Sequence, residues 1–281
     1  MGLSWSGMHD RVRAPEDATV HATDDTTTEP TAEPAAATLR IGTVDLPPRM
    51  TRERYFEELR YLELSALYAG PLKPSALAKL VEDAPSGSIG LVAPFVVGHR
   101  TPPKLPRLWP HDATTGDFRD SPLTRDALAQ LRDAARAISA RYTIFRSPDA
   151  FSPSAANRDR LRMFFSELAP REQFGERVWI PGGLWSVRTA AKIASELDLA
   201  FSFDPLVRHP GEPAEAYYDL EVSSLYLRIE GAARGSAIRS EKLDELADLV
   251  EHYGELPTTV AFASPNRWQD ARNFSKLFSA N

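Results

Sequence analysis

Between Leu39 and Phe278 the chain repeats one arrangement eight times: a short apolar run, a break marked by polar residues, glycine or proline, and a stretch with helical spacing. The runs are Leu39–Val44, Tyr61–Tyr68, Ser88–Val97, Tyr142–Phe145, Val178–Ile180, Ala200–Phe203, Ser224–Ile229 and Thr258–Ala263. Strands alternating with helices are typical of a parallel sheet. Eight such units in roughly 240 residues match a closed (β/α)8 barrel. We therefore predict an α/β fold of the TIM-barrel type, in which individual βα units can depart from the regular pattern.

The stretches between the runs differ in how regular they are. Leu123–Ala140 has the clearest helical stripe, and Thr124 is its expected N-cap. Two connections lack such a pattern: the proline-rich segment between His99 and Pro122, and Pro205–Tyr217. Long loops of this kind in a compact domain are commonly functional or inserted.

Composition excludes several classes of protein. The 281 residues include no cysteine, which rules out disulfides and thiolate sites. No run reaches the roughly 18 consecutive apolar residues of a membrane helix, and no secretory signal is expected. The net charge is −6, of which residues 1–39 hold −5, so the remainder is nearly neutral. We expect a cytoplasmic protein with no membrane-binding or nucleic-acid signature.

Residues 1–38 differ in composition from the rest of the chain. They are rich in Thr, Pro, Ala and acidic residues and poor in large apolar ones. Such a segment cannot bury enough surface to offset its ordering entropy. We predict a disordered acidic tail, acting as a solvating leader or a partner-binding segment, followed by a barrel domain over residues 39–281.

The polar residues at the ends of the runs are the candidates for function, because TIM barrels place their chemistry at the C-terminal ends of the strands. They are Asp45, Tyr68, His99, Arg146, Asp204, Arg228 with Glu230, and Ser264 or Asn266. Such a set could bind a divalent metal, perform acid–base catalysis or hold an anionic substrate. No pair has a diagnostic spacing, so the sequence leaves any metal or cofactor unknown.

Two of these positions allow a more specific prediction. Arg228 alternates with apolar Leu227 and Ile229, so it points either into the barrel lumen or into the helix layer. A buried arginine needs an acidic partner, and Glu230 is one candidate. The adjacent Gly182 and Gly183 favour a tight turn over a phosphate-binding loop.

At these strand ends the chain resembles the YecE-like family, the domain of unknown function 72, whose members are irregular TIM barrels. The resemblance runs from Leu39 to the C-terminus. It rests on Ile41-Gly42-Thr43, Leu67-Tyr68, Ala93-Pro94 with His99, Tyr226-Leu227-Arg228-Ile229-Glu230-Gly231, and Val260-Ala261-Phe262 with Ala271-Arg272-Asn273. It implies a barrel whose activity is not established.

Departures from the family pattern imply a diverged site. Counting back from Tyr68 places Leu62 and Leu64 where the family has Glu-x-Asn, and Glu230 stands for a histidine. Val92 stands for a lysine, and Ala263 and Ser264 replace paired asparagines. Tyr68, His99, Asp204 and Arg228 are retained. Lost polar groups remove interactions that a polar ligand needs, so the interpretation includes a non-catalytic barrel.

If the site is retained, we expect His99 and Asp204 to be catalytic and Tyr68, Arg228 and Glu230 to bind a small polar or anionic ligand. His99 would be the acid–base group, Arg228 would anchor an anion, and Asp204 and Glu230 would orient it or bind a metal. One alternative is a divalent-metal-dependent hydrolase or isomerase, which requires His99, Asp204 and Glu230 to converge. Another is a non-enzymatic interaction protein that uses the acidic tail and the His99–Pro122 segment, and has no open polar pocket at the strand ends.

Overall fold

A computed structural model describes Gly2 and residues 38–208, 211–231 and 237–278 of the chain. The described part contains a closed barrel of eight parallel strands in sequential order. They are β1 (Leu39–Val44), β2 (Tyr61–Leu64), β3 (Ile89–Val92), β4 (Tyr142–Arg146), β5 (Glu176–Ile180), β6 (Ala200–Phe203), β7 (Leu225–Ile229) and β8 (Thr258–Phe262). The predicted TIM barrel is confirmed. The predicted tail lies outside the described residues, apart from Gly2 and Thr38.

Helices follow the strands and cover the outside of the barrel. They are α1 (Arg52–Glu58), α2 (Pro74–Val81), α3 (Phe95–Gly98), α4 (Pro122–Ala137), α5 (Ala155–Met163), α6 (Arg171–Phe174), α7 (Val187–Glu196), α8 (Ser240–His252) and α9 (Arg267–Leu277). A π-helical turn, Phe164–Leu168, continues α5, and a 3₁₀ turn, Ala214–Tyr217, precedes β7. None of the helices in the described ranges combines the length and hydropathy of a bilayer-spanning helix.

Helix α4 begins differently from the prediction. The hydroxyl of Ser121, not that of Thr124, is the N-cap, and it accepts a hydrogen bond from the Thr124 N–H at 3.2 Å. Pro122 occupies the first turn, where its missing N–H leaves no intrahelical bond unmade.

Strands β2 and β3 are shorter than predicted. After Leu64 the chain turns, because the N–H and hydroxyl of Ser65 both donate to the carboxylate of Asp45 at the end of β1. After Val92, Pro94 precedes the short helix α3. Apolar residues continue past both strand ends because these turns are buried, so hydrophobicity alone does not mark where pairing stops.

Side chains alternate between two separate cores. Outward residues pack against the helices, whereas inward residues fill the lumen around Tyr61, Tyr142 and Tyr226. The centroids of these three rings lie 5.5–5.9 Å apart in edge-on contacts. The hydroxyls of Tyr61 and Tyr226 are 2.9 Å apart, and that of Tyr142 is 3.2 Å from Oγ1 of Thr259. The lumen is thus closed by packed side chains below the strand ends, as in other barrels of this type.

Candidate ligand-binding site at the strand ends

A pocket of about 330 Å³ opens at the C-terminal ends of β4 to β7. Its polar lining comes from Arg146, Ser147, Asp149, Ser202, Asp204, Glu212, Arg228 and Glu230. Its apolar lining includes Ile180, Trp185, Val187, Phe203, Val207 and Tyr217. The interaction-protein alternative required strand ends without an open polar pocket, and the described structure has one.

Arg228 points into the lumen and lies between two carboxylates. Its Nε donates to Oε1 of Glu63 at 3.1 Å, and its Nη1 donates to Oε1 of Glu230. Burial alone would lower the pKa of Arg228, but the charges of Glu63 and Glu230 outweigh it and raise that pKa. The pairing with Glu230 expected from the sequence is present, and Glu63 is a second partner. The positive charge of Arg228 is therefore already compensated within the protein.

Glu63 is a lumen residue that the sequence comparison did not identify. It is fully buried on β2, and its Oε2 accepts a hydrogen bond from the hydroxyl of Tyr226 at 2.6 Å. Counting back from Tyr68 pointed to Leu62 and Leu64, both of which face outward into the helix-side core. The alternation of Tyr61 with Glu63 was the available signal, since residues two apart on a strand share a face.

Arg146, at the end of β4, is a pocket cation that has no counter-charge in the described part of the chain. Its guanidinium carbon lies 5.7 Å from the centroid of the Tyr68 ring, a cation–π contact. Among the described residues, its guanidinium makes no hydrogen bond and has no carboxylate within ion-pair distance. It was one of the strand-end candidates, but no role was assigned to it from the sequence.

Ser202, on β6, carries a buried hydroxyl without a hydrogen-bond partner in the described part of the chain. It lines the pocket between Arg146 and Arg228 in the order of the strands. A buried polar group is ordinarily bonded, and an unsatisfied one costs stability. Ser202 was not predicted from the sequence, because one serine between the two phenylalanines of β6 has no distinguishing pattern.

Asp204 lines the pocket and also holds two loops together. Its Oδ2 accepts hydrogen bonds from the N–H groups of Glu230 at 2.8 Å and Gly231 at 3.2 Å, and its Oδ1 accepts one from Leu206 at 2.9 Å. Burial raises the pKa of Asp204, and these three N–H groups oppose that rise. The carboxylate thereby fixes the end of β7, where Arg228 and Glu230 lie.

His99 and Tyr68 form a neighbouring group on the rim. The two rings meet edge-on with centroids 5.7 Å apart. Burial, followed by the charge of Arg146, lowers the pKa of His99 to about 4. Burial raises the pKa of Tyr68, against the charges of Arg146 and Arg228. Neither ring is among the side chains that line the pocket, so Arg146 connects this group to it.

The two adjacent glycines lie in the pocket wall, where the chain bends after β5. A Cβ on Gly182 would overlap the carbonyl of Ser147, and one on Gly183 would overlap that of Asp149. Gly183 also has φ +80°, and its N–H donates to Oδ1 of Asp149 at 3.2 Å. The glycines are therefore required by the close approach of the loop after β4. The chain bends at Gly183 and Leu184 without the backbone hydrogen bond of a tight turn, so the predicted tight turn is not formed in that sense.

In the part of the chain that the structure describes, the carboxylates and imidazoles do not assemble as a metal site. Within the described ranges, no group of three or more His, Cys, Asp or Glu side chains is placed to hold a metal ion. His99, Asp204 and Glu230 thus do not converge in the way that the metal-dependent alternative required.

Comparison with known proteins shows similarity in structure, not in sequence. No family model and no curated protein sequence matches the chain. A DUF72 family protein of Thermotoga maritima is 15% identical, with a TM-score of 0.59 over 86% of this chain and 99% of that one. One of Enterococcus faecalis is 11% identical, with a TM-score of 0.62 over 88% and 99%. The structure of SacUVDE is 12% identical, with a TM-score of 0.53 over 86% and 99%.

The comparison bears on the fold and leaves the chemistry of the site open, since one fold supports many functions. At identities of 15% and 11%, the similarity is one of fold. The chain has the fold of the DUF72 family proteins, which confirms the resemblance drawn from its strand-end motifs.

Proposed function

We propose that this protein is a diverged YecE-like (DUF72) barrel that binds a small polar molecule bearing an anionic group in its strand-end pocket. The carrying observation is the Arg146 guanidinium, which lines the pocket without a counter-charge among the described residues. A guanidinium presents paired donors that match a carboxylate or phosphate. We assign no reaction to the protein.

This proposal moves the anion anchor from Arg228 to Arg146. Two carboxylates already compensate Arg228, so an additional anion there would displace or oppose Glu230. Arg146 has no such competitor, and the Tyr68 ring supports one side of it. Arg228 then serves to hold Glu230 at the pocket edge, and Asp204 fixes the backbone that carries both.

The roles of the remaining candidates stay predictions. With a pKa of about 4, His99 is neutral at pH 7 and is a weak base, so we expect it to serve a ligand as a hydrogen-bonding group more than as a proton acceptor. Tyr68 would contact the anionic group through its position beside Arg146. We place the protein in the cytoplasm, as its lack of cysteine suggests.

The test is ligand binding by the full chain and by Arg146→Met, measured by calorimetry with phosphate, sulfate and small carboxylates. We expect saturable binding that weakens at least about tenfold in Arg146→Met, since a charge-assisted bond contributes about 1.5–3 kcal/mol. Arg188→Met is the matched control, because Arg188 lies outside the pocket and is 63% exposed. Equal binding by wild type and Arg146→Met, or no binding of any anionic compound, would overturn the proposal.

A further inference from the structure

The pocket contains carboxylate oxygens that accept no hydrogen bond from the described residues, as well as the Arg146 guanidinium, which has no counter-charge among them. Glu212 is fully engaged, because its two oxygens accept from the N–H of Val187 at 2.7 Å and the hydroxyl of Tyr217 at 3.1 Å. Glu230 and Asp149 are not: each uses one oxygen, for Arg228 and Gly183 respectively. Among the described residues the second oxygen of each carboxylate has no partner.

These free carboxylate oxygens disfavour a bare anion. Glu230 is 59% exposed at the pocket edge, and its charge repels an anion that brings no hydrogen-bond donor. A ligand that places its anionic group on Arg146 therefore gains binding energy when it also presents hydrogen-bond donors toward Glu230 and Asp149. Hydroxyl groups do this without adding a second charge.

Ser202 favours hydroxyls over an ammonium group. Its unpartnered, buried hydroxyl lies in the wall of the same pocket. A serine hydroxyl donates one bond and accepts others, and a ligand hydroxyl can meet either need, whereas an ammonium group only donates. Ser202 lies on β6, Glu230 directly after β7 and Asp149 in the loop after β4, so several separate ligand hydroxyls fit this arrangement better than one.

The volume of the pocket and its apolar wall restrict the class of ligand further. A volume of about 330 Å³ is at the lower end of small-molecule pockets, which span roughly 300–1,000 Å³. The Nε1–H of Trp185 donates to the carbonyl of Phe151 at 2.6 Å, so this donor is not available to a ligand. Trp185 therefore joins Ile180 and Phe203 in presenting an apolar surface to the pocket. Such a surface suits the C–H face of a sugar-sized carbon skeleton.

We infer that the pocket accepts a monosaccharide-sized polyol carrying one carboxylate or phosphate, with the anionic group on Arg146 and hydroxyls on Ser202 and Glu230. This inference rests on the proposed function and names its ligand class. Sugar acids and sugar phosphates both combine hydroxyl groups with one anionic group. The experiment below tests the two kinds of ligand separately.

The experiment is calorimetry on the full chain with matched probes. Aldonic and uronic acids form one arm and aldose phosphates the other. The corresponding neutral aldoses, inorganic phosphate, acetate and α-amino acids are the comparisons. We expect one charged-polyol arm to bind at least about tenfold tighter than its neutral sugar and its bare anion, because two sets of hydrogen bonds act together.

Two variants assign the contacts. In Arg146→Met, the affinity for a charged polyol should fall to the affinity for the corresponding neutral sugar. Glu230→Gln should weaken the charged polyol several-fold while leaving the bare anion bound equally or more tightly.

The outcomes separate this inference from the proposal beneath it. If a bare anion binds through Arg146 and hydroxyls add nothing, or if an amino acid binds best, the polyol inference is overturned and the anion site stands. If no anionic compound binds, the proposed function itself fails.

Discussion

Arg228 on β7 and Glu63 on β2 are joined across the barrel lumen by a 3.1 Å bond from Nε to Oε1, although 165 positions separate them in the chain. The same carboxylate accepts from Tyr226 at 2.6 Å, and Tyr226 lies 2.9 Å from Tyr61. One buried acid thus orients the arginine that holds Glu230 at the pocket edge. The pair links the packed floor of the lumen to the proposed site.

Removal of Glu63 should destabilise the protein strongly. Glu63→Leu leaves Arg228 and the Tyr226 hydroxyl buried without this acceptor, and loss of one member of a buried ion pair costs about 3–5 kcal/mol. Urea unfolding measures the change. The double variant Glu63→Leu with Arg228→Met removes both charges and should recover much of the loss. Asp219→Ala, which breaks the exposed pair with Arg188, should change stability by less than about 0.5 kcal/mol. A small effect of Glu63→Leu would contradict the buried pair.

Two pocket serines should respond oppositely to alanine. Ser202→Ala removes a hydroxyl with no partner in the described structure, so the free energy of unfolding should stay equal or rise by up to about 1 kcal/mol. Ser147→Ala removes the acceptor for the indole N–H of Trp179, at 2.7 Å, and should cost about 1–3 kcal/mol. Thermal unfolding of both variants provides the comparison. Equal destabilisation would show that Ser202 is bonded after all.

His99 should titrate far below an ordinary histidine. Its pKa of about 4 in the folded chain, against 6.5 unfolded, means that the unfolded state binds more protons between these values. Stability from this group is therefore complete above pH 6.5 and is lost as the pH falls toward 4. After allowance for its partial exposure, the loss at pH 5 should be about 1–2 kcal/mol.

NMR titration of the imidazole signals, assigned by their loss in His99→Gln, measures this pKa directly. The stability difference between wild type and His99→Gln should also shift in favour of the variant as the pH falls from 7 to 5. A midpoint at pH 6 or above would show that the ring is solvated and far from Arg146.

Gly183 should tolerate alanine much less well than Gly87. Both have positive φ, +80° and +71°, so each substitution carries a backbone cost of about 1 kcal/mol. A Cβ at Gly87 meets no atom within 4 Å, whereas one at Gly183 overlaps the Asp149 carbonyl. Gly183→Ala should therefore cost at least about 2 kcal/mol more than Gly87→Ala in urea unfolding, because the backbone must move. Equal costs would mean that the two loops are not in close contact.

The residues that sequence reasoning found and missed at the site differ in kind. Arg228 lies inside its apolar run, where its charge sets it apart from Leu227 and Ile229. Asp204 and Glu230 directly follow strands, where a polar residue after an apolar run is conspicuous. Arg146 was visible for the same reason, but its lack of a counter-charge depends on which side chains surround it. Glu63 and Ser202 are single polar residues inside apolar runs. Both faces of these strands are buried, so polarity along the strand does not reveal which face is the lumen.

The eight βα units, the order of the strands and the polar positions at the strand ends could all be predicted from the sequence, because they depend on short-range periodicity and chain connectivity. Three relationships depend on the tertiary fold: Arg228 faces inward to Glu63, Arg146 has no counter-charge among the described residues, and His99 stands apart from Asp204 and Glu230. Those relationships join residues on strands far apart in the chain. They are fixed by the register, tilt and closure of the barrel, and no local pattern encodes them.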